Sequence, residues 1–594
     1  MRAKMADAQW TPTAHYAFHV DTKPPQPTNV VPRNGARWGG STLRIAFDED
    51  GSGINLKSVV MKIGTHVFQW GHKALRFDAS RNELALNLQS VGVTLRDGEL
   101  VRCKLLPLSD RAGNVSKPLE WHWRMSYRLD KQPPCAPIIK WSGPQPLGGG
   151  GFETPEQCWE SYGQDVVIKR VQYQPASGQY CLMMQCIKDG GAFGAYIHRQ
   201  PFDARQYPII AFDYRISKHL RADFVLSHSG NLRSIHFADN DNPFIPLGSV
   251  TDVQRDERWH HAEIPLLKWV SNSALNPPMR INWLTIQDMG WRGNAEGETA
   301  YFDNFVLVPL TSSARGLEFR WMATDVSGIS ASAYRIDHHP NTNPSTKRKI
   351  QATHVRIAKP ISGDFYLHVK VRDGAGNWSA PSHFRFLADG QPPRLQLIKP
   401  KLNARGAPSE VVMKLTDDFI GVDVAQMRIR IGKRLFDITS QAVVYDRERG
   451  ELRWRHLCTS TAPAWADGMR IEGVVENVRD YAGNAVRKPL QFAFIVDYQY
   501  DDEPPEVIVE SPTHAVLLWQ DFERNIPWRS TGGVKIVKDG STSAGGQCSV
   551  RITNAQDGGN MNVIVCDEPF DARMYPILRF DYRIPPGVRL DFVV

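Results

Sequence analysis

The loop Met289-Gly-Trp-Arg-Gly-Asn294 brings an indole, a guanidinium and a carboxamide together in Trp291, Arg292 and Asn294. A flat aromatic face stacks on the axial hydrogens of a sugar ring, and planar polar groups pair with its hydroxyls, so this set suits reversible ring recognition. The run Asp239-Asn-Asp-Asn242 adds carboxylates at Asp239 and Asp241. Bond-breaking chemistry has no comparable signal. There is no Gly-x-Ser-x-Gly elbow, His-Glu-x-x-His helix or phosphate-binding glycine loop. His260-His261 and His338-His339 are adjacent pairs, which on a strand point to opposite faces and do not share one metal. The expectation is a chain without catalytic residues.

Such side chains need strands to hold them, and the chain reads as strands nearly throughout. In Phe365-Tyr-Leu-His-Val-Lys-Val-Arg372, Phe365, Leu367, Val369 and Val371 share one face while His368, Lys370 and Arg372 share the other. Ile210, Phe212, Tyr214 and Ile216 alternate in the same way with Ala211, Asp213 and Arg215. Turns separate these runs. Asp110-Arg-Ala-Gly-Asn114, Asp373-Gly-Ala-Gly-Asn377 and Asp480-Tyr-Ala-Gly-Asn484 are tight hairpins, because Asp bonds its own downstream amide while Gly and Asn tolerate left-handed angles. Asp50-Gly-Ser-Gly-Ile54, Asp325-Val-Ser-Gly-Ile329 and Asp418-Phe-Ile-Gly-Val422 form a second set. Pairs of prolines at 24–25, 133–134, 392–393 and 504–505 read as stiff connectors between sheets.

The chain also repeats itself. Pro201-Phe-Asp-Ala-Arg returns as Pro569-Phe-Asp-Ala-Arg, displaced by 569 − 201 = 368 residues, and the stretch around Pro24-Pro25 returns around Pro392-Pro393 at the same offset. A period this long comprises several domains rather than one solenoid coil.

On the three Asp-x-Ala-Gly-Asn hairpins, the segments 26–133, 311–392 and 393–504 resemble bacterial immunoglobulin-like or fibronectin-III-like domains. Residues 1–25 then correspond to the last strand of another such domain. The segment 134–310 opens on Gly151-Phe-Glu153 with Trp159 and closes on Thr299-Ala-Tyr-Phe-Asp-Asn-Phe-Val-Leu307. It resembles a galactose-binding-like jelly roll, a fold used by many carbohydrate-binding modules, and residues 505–594 resemble the first half of a second copy. The fold class expected is all-β, tandem β-sandwiches. The jelly-roll resemblance implies a structural calcium ion shared by Glu153 and Asp303, with Glu523 matching Glu153 in the second copy.

Composition agrees with folded domains and limits their partners. The 594 residues are 42% apolar and 23% charged, typical of globular protein. A formal charge of +8 is spread along the chain with no Lys/Arg-rich run, which argues against nucleic acid. No apolar stretch approaches the length of a membrane span, and no signal peptide opens the sequence. Of eight cysteines, only Cys181 and Cys548 fall at matching places in the repeat, so a recurring disulfide framework is not expected. These readings converge on a non-catalytic extracellular or cell-surface protein whose immunoglobulin-like spacers present jelly rolls to a polysaccharide or surface glycan. The alternatives are a structural stalk or adhesin contacting other surface proteins, or an accessory region of a secreted carbohydrate-active enzyme.

Overall fold

The computed structural model describes residues 20–228, 230–238, 244–273, 277–288, 293–456 and 465–500; beyond these it describes 520–523, 526, 528–530, 533–555, 562–567, 570, 575, 577–585 and 588. The fold is all-β: among the described residues, the α-helix is the short segment Leu266–Ser271. The described part up to Val496 contains four sandwiches, and residues 497–594 fall in a second unit.

In the first sandwich a four-stranded sheet ordered Gln26–Val31, Thr42–Asp48, Glu83–Asn87, Leu75–Asp78 faces a five-stranded sheet centred on Leu100–Leu105 and Leu119–Met125. The period-two pattern of Leu119–Met125 turns Trp121, Trp123 and Met125 into the core and leaves His122 and Arg124 in solvent. The fourth sandwich repeats this plan 368 residues on. There Arg428–Ile431 forms a hairpin with Arg434–Phe436 and pairs with Arg470–Glu476, as Val60–Ile63 does with His66–Gln69 and Leu100–Leu105.

The third sandwich corrects an expected boundary. Strand Ile138–Trp141, assigned from sequence to the jelly roll 134–310, instead pairs with Leu317–Met322, which in turn pairs with His354–Ile357. Trp141 is buried against Phe319, Phe384 and Phe386 at ring separations of 5.8, 5.6 and 5.4 Å. The jelly roll is therefore an insertion between the first strand of this sandwich and its second, Leu310–Ser312. Four residues carry too little periodicity to show which sheet owns them, and their partner lies far along the chain.

The inserted jelly roll packs two sheets. One is ordered Val166–Val171, Cys181–Cys186, Thr299–Val308, Ile209–Ile216, His260–Ile264; the other carries Gly194–His198, Arg280–Gln287, Asp223–His228 and Asn231–His236. Phe212, Phe224, Phe302 and Phe305 are fully buried between them. Each stabilises the sandwich by roughly 1.5–3 kcal/mol through lost apolar exposure.

The three hairpins form as their sequences dictate. Asp110, Asp373 and Asp480 each accept the amide of the asparagine four residues on, at 2.8, 2.7 and 2.8 Å, and Gly113, Gly376 and Gly483 take φ of +97°, +107° and +90°. The asparagine side chains then reach the preceding linker: Asn114 Nδ2 donates to the Asp21 carbonyl (3.0 Å), Asn377 to that of Asp130 (3.2 Å) and Asn484 to that of Asp389 (3.1 Å).

In the second unit, Val534–Asp539 and Ser549–Asn554 form a hairpin in continuous register, matching Val166–Val171 and Cys181–Cys186. This register corrects the cysteine alignment. Ser549 opens the strand that Cys181 opens in the first copy, so Cys548 corresponds to Tyr180 and no cysteine follows the repeat. Cys103, Cys135, Cys158, Cys181, Cys186 and Cys548 are free thiols, and Cys458 lies outside the described residues.

Candidate functional site

The jelly-roll sheet that carries Thr299–Val308 presents its outer face beneath the loop 172–180, and side chains of Glu153, Asp303 and Trp259 tie that loop down. Glu153 Oε1 accepts the amides of Gln179 (2.8 Å) and Tyr180 (3.3 Å), and Asp303 Oδ2 accepts the amide of Ser177 (2.9 Å). The Gln174 carbonyl accepts Trp259 Nε1 at 2.7 Å. Glu523 makes the same tie in the second copy, accepting the amides of Gln547 (2.6 Å) and Cys548 (2.9 Å).

Beneath the loop, Arg215 and Tyr301 lie directly opposite on adjacent strands. The Arg215 guanidinium sits 4.0 Å from the Tyr301 ring centre, 5.1 Å from Tyr173 and 5.3 Å from Trp259. Its Nη1 donates to Gln174 Oε1 at 3.1 Å, while its buried Nη2 has no hydrogen-bond partner. Tyr173 is largely exposed, and Trp259 and Tyr301 are half-buried. A cation stacked on aromatic faces is held in place by the ring quadrupoles. The result is an aromatic platform braced by a buried guanidinium.

Next to it runs a chain of charged contacts. A bulge at Asn304, with φ of +49°, sets two residues of one strand against Phe212 of its neighbour and turns the Asn304 amide to donate to Asp213 Oδ2 at 2.7 Å. Asp213 Oδ1 pairs with His261 Nδ1 (2.7 Å), His261 Nε2 with Glu263 (3.4 Å), and Glu263 with Arg385 of the third sandwich (2.5 Å). Donating Nδ1–H to Asp213 raises the His261 imidazolium pKa to about 9, and accepting from His261 holds the Glu263 carboxyl at about 2. Burial pushes Asp303 up to about 7.

The residues expected from sequence are only partly brought together. Glu153 and Asp303 both converge on the loop 172–180 and lie on either side of Gly151. Asn294 is almost fully buried and occupied: its Oδ1 accepts the Arg221 amide (2.7 Å), and its Nδ2 donates to the Arg221 carbonyl (2.9 Å) and to Asp288 (2.8 Å). That corrects its assignment as a ligand group, since both amide hydrogens are spent on the fold. Trp291, Arg292, Asp239 and Asp241 lie outside the described residues. The sequence reading missed Tyr173, Tyr301 and Arg215 as a group. Outward Arg215 within an apolar strand was the available signal, but its aromatic partners come from strands far apart in the chain.

No family model matches the chain, and no curated protein matches it. Solved structures similar to parts of it include a beta-1,2-glucanase from Parabacteroides distasonis, at 12% identity and TM-score 0.18, covering 43% of this chain and 37% of that one. The fibronectin(III)-like modules of Clostridium thermocellum CbhA match at 14% identity and TM-score 0.16, covering 34% of this chain and 95% of theirs. The family 30 carbohydrate-binding module of the cellulosomal cellulase Cel9D-Cel44B of Clostridium thermocellum matches at 14% identity and TM-score 0.18, covering 28% and 96%. The chain thus spans little more than a third of the glucanase it matches. The fold assignment rests on the chain's own sheets.

Proposed function

We propose that this chain is a non-catalytic, extracellular glycan-binding array, in which immunoglobulin-like sandwiches space jelly rolls that grip carbohydrate. The observation that carries this reading is the platform of Tyr173, Tyr301 and Trp259 stacked around Arg215, with Tyr173 largely exposed. Flat rings suit the apolar face of a sugar, and the guanidinium stacked among them holds them in place. Among the described residues no helix is long and apolar enough to cross a membrane. Glu153 and Asp303, whose carboxylates both reach the loop 172–180, would be the residues to hold a structural calcium ion. Two modules on one chain would add avidity on a polymer without strengthening either contact.

Retention of the full chain on a glycan array tests this. Tyr173→Ala should abolish retention while leaving the melting temperature unchanged, because the ring is exposed. Retention lost instead in Trp291→Ala, with Tyr173→Ala unaffected, would move the site to the loop 289–294. A blank array with and without calcium would overturn glycan binding and favour a structural stalk.

A further inference from the structure

At three places, oxygen atoms of three acidic side chains lie within 4.8 Å of one another: Asp21, Glu49 and Asp110; Asp130, Asp325 and Asp373; Asp389, Asp417 and Asp480. The groups are built alike. The first member stands in the linker just ahead of a proline pair, the second at the entrance to the Gly-containing turn of the next sandwich, and the third is the hairpin aspartate of that same sandwich. In each, the hairpin asparagine also holds the carbonyl of the first member. Every group therefore forms where a linker meets the sandwich that follows it.

Clustered carboxylates alone are ordinary, but two of these groups contain a further anomaly. Asp130 and Asp389 are 2% and 1% exposed, and Oδ2 of each accepts no hydrogen bond. Their Oδ1 atoms are served locally, by the Gln132 amide (3.1 Å) in one case and by Ser362 Oγ (2.8 Å) and the Gln391 amide (3.0 Å) in the other. A buried carboxylate oxygen without a donor, set among two more carboxylates, is costly unless a proton or a cation compensates it.

The donors are all oxygen, with no cysteine or histidine among them, which selects a hard cation. Calcium accepts irregular sets of six to eight oxygens, whereas magnesium demands a near-octahedral shell and keeps its waters. We propose that the two buried junctions each bind one calcium ion, one through Asp130, Asp325 and Asp373 and the other through Asp389, Asp417 and Asp480, and that the ion fixes each linker to the sandwich after it. The more open Asp21 group, which contains no orphaned oxygen, is a weaker version of the same device.

The test is calorimetric titration of the chelator-treated full chain with calcium chloride, beside the double variant Asp130→Asn/Asp389→Asn. The variant should bind two fewer calcium ions than the unaltered chain. Calcium held at Glu153 and Asp303 would remain in both, so the difference isolates the junctions. Calcium should also raise the melting temperature of the unaltered chain and slow proteolysis within 126–137. In chelator, the variant should melt no lower than the unaltered chain, since it has lost two uncompensated buried charges; aspartates with a purely structural role would melt lower. Equal calcium stoichiometry in the two proteins, or a melting temperature indifferent to calcium, would overturn the proposal. Magnesium matching calcium at equal concentration would overturn the choice of ion.

Discussion

Glu263 of the jelly roll and Arg385 of the third sandwich form an ion pair at 2.5 Å, so the inserted domain is tied to its host by charge as well as by its two chain connections. Arg385 also holds Asp364 at 2.6 Å, and Glu263 is shared with His261. The pair is the last step of a line that begins at Asn304, next to the candidate glycan face.

This line gives stability a pH window. His261 is raised from 6.5 to about 9, so its contribution is complete below about 6.5 and lost as pH rises through 9. Glu263 is lowered from 4.5 to about 2, so its contribution is complete above about 4.5 and lost as pH falls toward 2. Both side chains are substantially exposed, so solvent screens the effect and each limb should be shallow. Melting temperature measured from pH 3 to 10 should fall on both sides of a plateau between about 5 and 7. His261→Gln should flatten the alkaline limb and leave most of the acid one; an unchanged alkaline limb would remove His261 from the account.

Ownership of Ile138–Trp141 by the third sandwich predicts where a core mutation is felt. Trp141→Ala leaves a cavity beside Phe319, Phe384 and Phe386 and should cost about 3–5 kcal/mol. Hydrogen exchange should accelerate in Leu317–Met322 and Ser382–Asp389 while Ile209–Ile216 stays protected. Faster exchange confined to the jelly roll would restore the boundary read from sequence. A fragment starting at 311 should fail to fold cooperatively, because the Ile138–Trp141 edge strand would be missing.

How much of this the sequence displayed depends on how local the signal was. The hairpins at Asp110, Asp373 and Asp480 were legible because five consecutive residues carry both the bond and the left-handed glycine. Alternation placed Phe212 and Tyr214 in a core and Arg215 outside it. The insertion was not legible, since Trp141 finds its sheet only across the whole jelly roll. The junction carboxylates were hidden differently: in two of the three groups the clustered acid is Glu49 or Asp417, the residue just before the turn-forming aspartate that the repeat makes conspicuous. Asn294 misled because a polar residue beside a tryptophan reads as a ligand group, whereas its amide pins a buried loop.

The two jelly-roll copies place one alternating sequence pattern in two settings. In the first, Ile210, Phe212, Tyr214 and Ile216 are 0–2% exposed, covered by Thr299–Val308 and His260–Ile264. In the second, the matching Leu578, Phe580, Tyr582 and Ile584 are 62%, 50%, 73% and 41% exposed. Apolar surface of this kind recruits other apolar surface. The chain should therefore bind a hydrophobic dye such as ANS and self-associate with rising concentration, and a version ending at Val496 should do neither. Phe580→Asp should weaken both effects, whereas Phe212→Asp should unfold the first jelly roll, because the same ring there is part of a closed core. Dye binding that persists undiminished in the version ending at Val496 would place the sticky surface elsewhere.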